Sequence, residues 1–196
     1  MTRVPAAPRL VLASTSPRRH ELLGRLGLVP DRLAAPDIDE TPARGEDPRA
    51  YVVRLARAKA EAVPRAEDEV ILAGDTTIAA GRRILGKPAD ADEARAMLRL
   101  LSGRRHHCLS AIAVVGAGSA IRTKLSDTIV AFRPLEPVEI DAYLMTDEWV
   151  GKAGAYAIQG RAEAFVRFLH GSHSGVVGLP LTETRALLRW AGVPLA

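Results

Sequence analysis

The sequence predicts an α/β fold in which helices flank a mixed β-sheet. Short apolar runs, such as residues 10–13 and 70–73, are typical of buried strands, and stretches with helical spacing of apolar residues lie between them. Two longer β-like segments follow one another across a short Gly-rich turn, which is typical of a hairpin. A chain that contains both strand–helix–strand units and hairpins favours a mixed sheet.

Start and stop signals place each element. The predicted elements are, in chain order, a strand at 10–13, a helix that starts at 17, a loop or irregular strand at 31–47, a helix from about 48 to before 64, a strand at 70–73, a hairpin at 78–85, a helix to 101, strands at 107–115 and 121–132, a helix near 138–145, a strand near 164–169 and a helix near 181–190. In the first half, Ser16 offers an N-cap, Pro17 suits the first helical position and Gly27 can end the helix. In the second half, Asp90 or Asp92 can cap a helix.

Composition sets the broad class of the protein. The chain has 196 residues, of which 47% are hydrophobic and 26% charged, and we expect one globular domain over residues 1–196. The single cysteine, Cys108, excludes a disulfide framework, and the neighbouring His106 and His107 point to opposite faces of a strand, so we expect a structural role for this run. The apolar stretch around 109–115 is far shorter than the ~20 residues that span a bilayer, and no signal peptide is recognisable. A net charge of +4 with only 4% aromatic residues does not indicate nucleic-acid binding. We therefore expect a cytoplasmic protein with no membrane or nucleic-acid partner.

Hydroxyl and guanidinium groups crowd the start of the first helix. Ser14, Thr15 and Ser16 follow the first strand, and Arg18 and Arg19 fall in the first helical turn. A helix N-terminus carries about half a positive charge, so two arginines there are unfavourable unless an anion binds them. Guanidinium forks and hydroxyl donors suit phosphate. The alternative is that Ser16 only caps the helix and that both arginines are solvated.

Lys59, Asp75 and Glu40 are the next candidates. Lys59 shares a helix face with apolar residues, so it either snorkels to solvent or points into a cleft, and the helix alone favours snorkelling. Asp75 directly follows the strand at 70–73, where ligands gather in α/β sheets, and its carboxylate could hold a divalent metal or accept a proton from water. An Asx-turn is equally compatible with this position. Glu40 either completes a magnesium site with Asp75 or lies in a solvated acidic loop.

Two loop residues complete the set. The segment 81–88 nearly matches a phosphate-binding loop, but Pro88 stands where a hydroxyl is needed, so we retain only Lys87 as a point charge for phosphate. Gln159, in the Gly-rich segment 151–160, either reads the edge of a nucleobase or is a buried amide.

Together these groups describe a nucleotide polyphosphate site with a magnesium ion. Neither a Ser-His-Asp signature nor a cysteine at a helix start points to a covalent nucleophile. Direct attack of water on phosphorus fits best, and positioning and charge stabilisation would supply most of the rate.

The sequence resembles the Maf family of nucleoside triphosphate pyrophosphatases over nearly its whole length. The matching segments, in family order, are 12–19 (LASTSPRR), 37–41 (DIDET), 55–60 (LARAKA), 74–76 (GDT), 85–88 (LGKP), 151–160 (GKAGAYAIQG) and 175–181 (GVVGLPL). The resemblance implies a mixed α/β fold of two lobes around a central cleft, often as a homodimer. It also implies hydrolysis of a nucleoside triphosphate to the monophosphate and pyrophosphate with a divalent cation, Mg²⁺ or Mn²⁺.

The resemblance also assigns roles to single residues. The matched positions are Asp75 (proton acceptor for the attacking water), Glu40 (metal-associated, with Asp75), Arg19, Lys59 and Lys87 (triphosphate), and Arg18, Thr76 and Gln159 (substrate choice). The stretch 155–160 is similar to the branch that acts on dTTP and UTP, and clearance of modified pyrimidine nucleotides and restraint of division are the implied roles. Two alternatives stay open, namely a pyrophosphatase for 7-methyl-GTP and a nucleotide-binding regulator of division without turnover.

Overall fold

The computed structural model describes residues 7–195 and confirms the α/β class. Within these residues, seven strands form a mixed sheet in the order β2-β1-β3-β5-β6-β7, with β4 paired to β3 beside this row. The strands are β1 (Arg9–Ala13), β2 (Arg32–Ala34), β3 (Glu69–Ala80), β4 (Arg83–Leu85), β5 (Arg105–Val115), β6 (Ile121–Phe132) and β7 (Val166–His170). The helices are α1 (Pro17–Gly24), α2 (Pro48–Glu61), α3 (Ala91–Leu101), α4 (Pro137–Leu144), α5 (His173–Val177) and α6 (Leu181–Trp190). The first six residues and the last residue of the expected domain lie outside the described part.

The third strand is much longer than its parallel neighbour. β1 pairs in parallel with β2 on one side and β3 on the other, and its pairing with β3 ends at Ala13 and Ala73. β3 continues to Ala80, held there by β5 and finally by β4. Between Gly74 and Thr77 the β1 side of β3 is therefore open, because β1 has ended and the pairing with β4 begins only at Ile78. The expected strand at 70–73 is too short, because the polar residues that suggest a loop still pair with β5.

Helices cover both faces of the sheet, as strand alternation dictates. Val11 packs in one buried cluster with Val52 of α2, whereas its neighbours Leu10 and Leu12 pack with Leu22 of α1 and with α6. A third cluster joins α3 and α4 to β5, β6 and the end of β3. Within residues 7–195, no helix has the length and the apolar content needed to cross a bilayer.

Most helix boundaries agree with the sequence prediction, which left Asp90 or Asp92 as the cap of α3. Asp90, not Asp92, caps α3, with its carboxylate accepting a hydrogen bond from Glu93 N at 2.8 Å. α1 ends at Gly24, before Gly27, and the side chain of Ser16 makes no capping hydrogen bond. The short helix α5 was not expected from the sequence.

Candidate active site

A cavity of about 610 Å³ opens where β3 runs past the end of β1. Its lining comes from the β1–α1 turn with the start of α1, α2 and the loop before it, β3, the loop after β4, the loop after α4 and the end of α5. All ten residues selected from the sequence line it, namely Ser14, Ser16, Arg18, Arg19, Glu40, Lys59, Asp75, Thr76, Lys87 and Gln159. The fold thus brings six separate stretches of the chain to one place.

A lysine and two carboxylates meet in this cavity. Lys59 Nζ lies 2.6 Å from Asp75 Oδ1 and 2.7 Å from Glu40 Oε1. Lys59 and Asp75 are only 8% and 7% exposed, whereas Glu40 lies on an exposed loop. Lys59 therefore points into the cleft, and the snorkelling interpretation is wrong. The Asx-turn interpretation is also wrong, because Asp75 lies within β3, opposite Ala111 of β5.

Strand periodicity explains why Asp75 meets α2. Side chains of a strand alternate between the two faces of its sheet. Asp75 therefore shares a face with Ala73 and Ala79, and both alanines pack in the cluster beneath α2. The carboxylate consequently reaches the helix at Lys59, which lies one turn after Leu55 on the buried face of α2.

Opposing effects act on the Glu40 carboxylate. Burial raises its pKa, but the hydrogen bond from Lys59 and the charges of Lys59, Lys87 and Arg19 outweigh this effect and hold the pKa below its usual value. Glu40 is therefore ionised at neutral pH, and so it is available as a cation ligand.

Tyr51 fixes the loop that carries Glu40, and sequence reasoning missed it. Its hydroxyl donates to the Glu40 carbonyl oxygen at 2.9 Å. Burial raises the pKa of Tyr51 to about 12, so this donor keeps its proton. Tyr51, Leu55 and Lys59 are spaced four residues apart on α2, and this common helix face was the signal that could have found Tyr51.

Arg19 is held in place by hydrogen bonds within the protein. Its Nε donates to the Gly178 carbonyl oxygen at 2.8 Å, Nη1 donates to Ser14 Oγ at 3.2 Å and Nη2 donates to Thr76 Oγ1 at 3.4 Å. Thr76 is in turn fixed by Ser110 Oγ at 2.9 Å. Burial lowers the pKa of Arg19 from its ordinary value of 12.5, in spite of the nearby Asp75. A guanidinium fixed in this way presents a fork at a set position, as recognition of phosphate requires.

The start of α1 supplies further donors. Ser14 Oγ accepts a hydrogen bond from Ser16 N at 3.2 Å, which shapes the turn between β1 and α1. Arg18 lines the cavity and is partly buried, and desolvation lowers its pKa. Because the Ser16 side chain does not cap the helix, the amides of the first turn stay free of this partner and are suited to an anion.

The loops after β4 and α4 bring two lysines and one amide to the cavity. Lys87 is exposed in the loop after β4, and Gln159 is exposed in the loop after α4. Lys152, which we had not selected, also lines the cavity and donates to the Val150 carbonyl oxygen at 3.0 Å. Burial lowers the pKa of Lys152. The charge of Arg18 lowers this pKa further, so Lys152 lies near the start of α1.

The carboxylates offer a partial metal site. Among the described residues, no three His, Cys, Asp or Glu side chains converge in a way that could hold a metal ion. Glu40 and Asp75 nevertheless fit a magnesium-type cation, because their oxygens already converge on one cation, the ammonium of Lys59. Mg²⁺ commonly binds through one or two carboxylates and completes its shell with waters and substrate phosphates. A divalent ion here would need such oxygens as further ligands.

Thr77 makes a stability prediction possible. Its hydroxyl is buried in the cavity wall and has no hydrogen-bond partner within the described part of the chain. An unpaired buried hydroxyl costs roughly 1–3 kcal/mol. We expect Thr77→Val to raise the free energy of unfolding by about 1 kcal/mol, or Tm by about 2–4 °C.

The matched control for that measurement is Thr184→Val. The buried Thr184 hydroxyl donates to the Pro180 carbonyl oxygen at 2.8 Å, so its loss should lower Tm in the same thermal denaturation experiment. A fall in Tm for both variants would contradict the account of Thr77.

The fold and the cavity define an α/β protein with a cleft in which arginines, lysines and hydroxyls lie beside two carboxylates. Among solved structures, the Staphylococcus aureus Ham1 protein superposes with a TM-score of 0.52 over 93% of this chain and 98% of that chain. Sequence identity is 12%, so this likeness concerns the fold alone.

The chain belongs to the Maf family. The family model described as Maf-like protein matches residues 9–191. The dTTP/UTP pyrophosphatase of Sphingopyxis alaskensis is 68% identical over 188 residues, which cover 96% of this chain and 99% of that relative. The dTTP/UTP pyrophosphatase of Novosphingobium aromaticivorans is 56% identical over 187 residues, which cover 95% and 93% of the two chains. The resemblance seen in the sequence motifs is thereby confirmed.

Proposed function

We propose that this chain is a nucleoside triphosphate pyrophosphatase that hydrolyses dTTP and UTP, and modified pyrimidine triphosphates, to the monophosphate and pyrophosphate. The observation that carries the proposal is the contact of Lys59 with both Asp75 and Glu40 in a cavity that Arg19 also lines. The names of the two relatives described above support the same reaction and substrates.

In this proposal the triphosphate binds along the start of α1. Arg19 presents a fixed fork, Arg18 adds a second guanidinium, and Lys87 adds an ammonium from the loop after β4. The hydroxyls of Ser14 and Ser16 and the free amides of the helix add neutral donors. Cations aimed at the phosphate oxygens stabilise the negative charge that shifts to the leaving pyrophosphate in the transition state.

Asp75 then acts as the proton acceptor for the attacking water. General base catalysis needs an ionised carboxylate within hydrogen-bond reach of the water. Lys59 serves this role by holding Asp75 Oδ1 at 2.6 Å, which fixes the orientation of the carboxylate. The second carboxylate oxygen is then the one that receives the proton.

Glu40 and Asp75 would hold the divalent cation, Mg²⁺ or Mn²⁺. When bound, the cation supplies positive charge to the phosphate oxygens and so lowers the barrier to attack. The Lys59 ammonium now lies between the two carboxylates, where the cation would bind. Lys59 would therefore have to move so that both carboxylates could also contact the cation.

Substrate choice is assigned to Arg18, Thr76 and Gln159. Gln159 is exposed at the cavity edge, where its amide can pair with the donor and acceptor groups of a pyrimidine. We further propose that residues 1–196 form one domain and that the protein acts in the cytoplasm on nucleotides, without nucleic acid. The homodimer expected from the family resemblance belongs to the same set of proposals.

The test is pyrophosphate release from a panel of nucleoside triphosphates with Mg²⁺. We expect kcat/KM for dTTP and UTP to exceed that for dCTP and dGTP by at least about 10-fold. A kcat/KM for 7-methyl-GTP above those for dTTP and UTP would contradict the pyrimidine assignment, but not the proposed reaction. Nucleotide binding without any hydrolysis would favour a regulator of division.

A further inference from the structure

The loop that carries Gln159 is fastened to the sheet by a buried hydrogen bond. Tyr156 OH lies 3.0 Å from His106 Nε2 of β5, and the two residues are only 5% and 1% exposed. Phe132 packs edge-on against both rings, with centroid distances of 5.0 Å to His106 and 4.9 Å to Tyr156. Tyr156 lines the cavity, whereas His106 lies behind it and does not reach the site.

Backbone contacts tighten the same loop. The amide of Gly154 donates to the Gly86 carbonyl oxygen at 3.0 Å, which joins the loop to the residue before Lys87. Gly154 has a φ of +68°, and a Cβ there would lie 2.7 Å from Cγ1 of Ile78. On the far side, the amide of Ala157 donates to the Tyr143 hydroxyl at 3.0 Å. The loop therefore has little freedom to move along the sheet.

Both partners of the buried bond are uncharged at neutral pH. Burial lowers the pKa of His106 to about 4, so the imidazole is neutral. Burial raises the pKa of Tyr156 well above its ordinary value, so the phenol keeps its proton. At neutral pH the hydrogen bond therefore joins two uncharged buried groups. Removal of either side chain would leave the polar atom of the other without its partner.

We infer that His106 is a positioning residue for nucleobase selection. The inference rests on the proposed function, because it concerns the base that Gln159 would read. Gln159 lies three residues after Tyr156, and its exposed side chain has its place set by the backbone of this loop. A site that recognises a base by hydrogen bonds discriminates between bases only while its donor and acceptor stay aligned with those of the base. His106 maintains this alignment through its hydrogen bond with Tyr156.

The experiment compares dTTP with dCTP, two pyrimidines that differ in hydrogen-bonding groups at the base edge. Tyr156→Phe and His106→Leu each remove the buried bond. We expect the ratio of kcat/KM for dTTP over dCTP to fall by about 10-fold in both variants, with the change mainly in the KM for dTTP. His106→Gln keeps a polar partner for Tyr156 and should retain most of the ratio.

Loss of stability alone would not move this ratio, and Leu188→Val provides the control. Leu188 is buried on the other face of the sheet with α1 and α6, so the variant lowers Tm without touching the loop. We expect its dTTP/dCTP ratio to equal that of the wild type at a temperature well below every Tm.

Two results would overturn the inference. One is a Tyr156→Phe variant with lowered Tm and an unchanged ratio, and the other is an equal ratio in His106→Leu and His106→Gln. The ratio of dissociation constants for dTTP and dCTP, measured by calorimetry, is recorded in parallel. Absence of hydrolysis by the wild type would contradict the proposed function, and the binding ratios would still test the role of His106.

Discussion

Asp75→Asn is expected to lower kcat by about 10³-fold while dTTP still binds. Asparagine has the shape of aspartate but has no basic oxygen that can take the proton of the attacking water. Lys59 keeps its second partner, Glu40, at 2.7 Å, so the arrangement of the site should survive the change. Steady-state kinetics and calorimetric binding of dTTP measure the two quantities separately.

The control for this variant is Asp127→Asn. Asp127 lies on β6, outside the cavity, and pairs with Arg49 of α2 and with His107. Its loss removes a surface carboxylate of the same type, and we expect kcat within about twofold of the wild type, as for surface changes away from the site. An Asp75→Asn variant with more than a tenth of wild-type kcat would contradict the role of Asp75 as proton acceptor.

Lys59→Met is expected to affect both stability and activity strongly. The methionine removes the cation from a pair in which both side chains are about 10% exposed, so Asp75 is left buried without its partner. Removal of one partner of a buried ion pair lowers the free energy of unfolding by about 3–5 kcal/mol. Because this pair lies in an open cavity, we expect a loss of about 3 kcal/mol. Chemical denaturation measures this change.

Loss of the ammonium also changes the pH dependence. Lys59 is the main group that holds the pKa of Glu40 below its usual value against the effect of burial, so its removal raises that pKa. If ionised Glu40 is needed for activity, the acidic limb of the kcat/KM profile moves to higher pH in Lys59→Met. An unshifted limb would contradict a need for ionised Glu40 in the reaction.

A double variant distinguishes the charge effect from loss of packing. Lys59→Met with Asp75→Asn removes both charges, so it should be more stable than Lys59→Met alone although it is inactive. If the double variant were less stable than Lys59→Met, the lysine would matter for packing and not for its charge.

The sequence was sufficient to find the cavity residues but not their contacts. All ten selected residues line one cavity, because the fold brings together the stretches of chain that carry the motifs. The contact of Lys59 with Asp75 depends on where β1 stops, since that end opens the edge of β3 at Gly74. Helix periodicity places Lys59 on the apolar face of α2, but it does not reveal whether a carboxylate lies opposite the lysine.

Two further features lay beyond sequence reasoning for the same reason. His106 was correctly expected to have a structural role, and its partner Tyr156 is 50 residues away in the chain. Tyr51 shares a helix face with Lys59, but its bond to the Glu40 carbonyl oxygen depends on the course of the irregular loop before α2. Long-range pairs of this kind are set by tertiary packing and leave no local pattern.

The most direct test of the central claim is the identity of the products formed from dTTP and Mg²⁺. Water attack that releases pyrophosphate gives dTMP and pyrophosphate in equal amounts, and no orthophosphate at early times. Chromatography of the nucleotides together with separate assays for pyrophosphate and orthophosphate measures all of these species. We predict one pyrophosphate for each dTMP with the wild type, and formation of both products about 10³-fold more slowly with Asp75→Asn. Formation of dTDP and orthophosphate would contradict the account, because a different phosphoanhydride bond would then be cleaved.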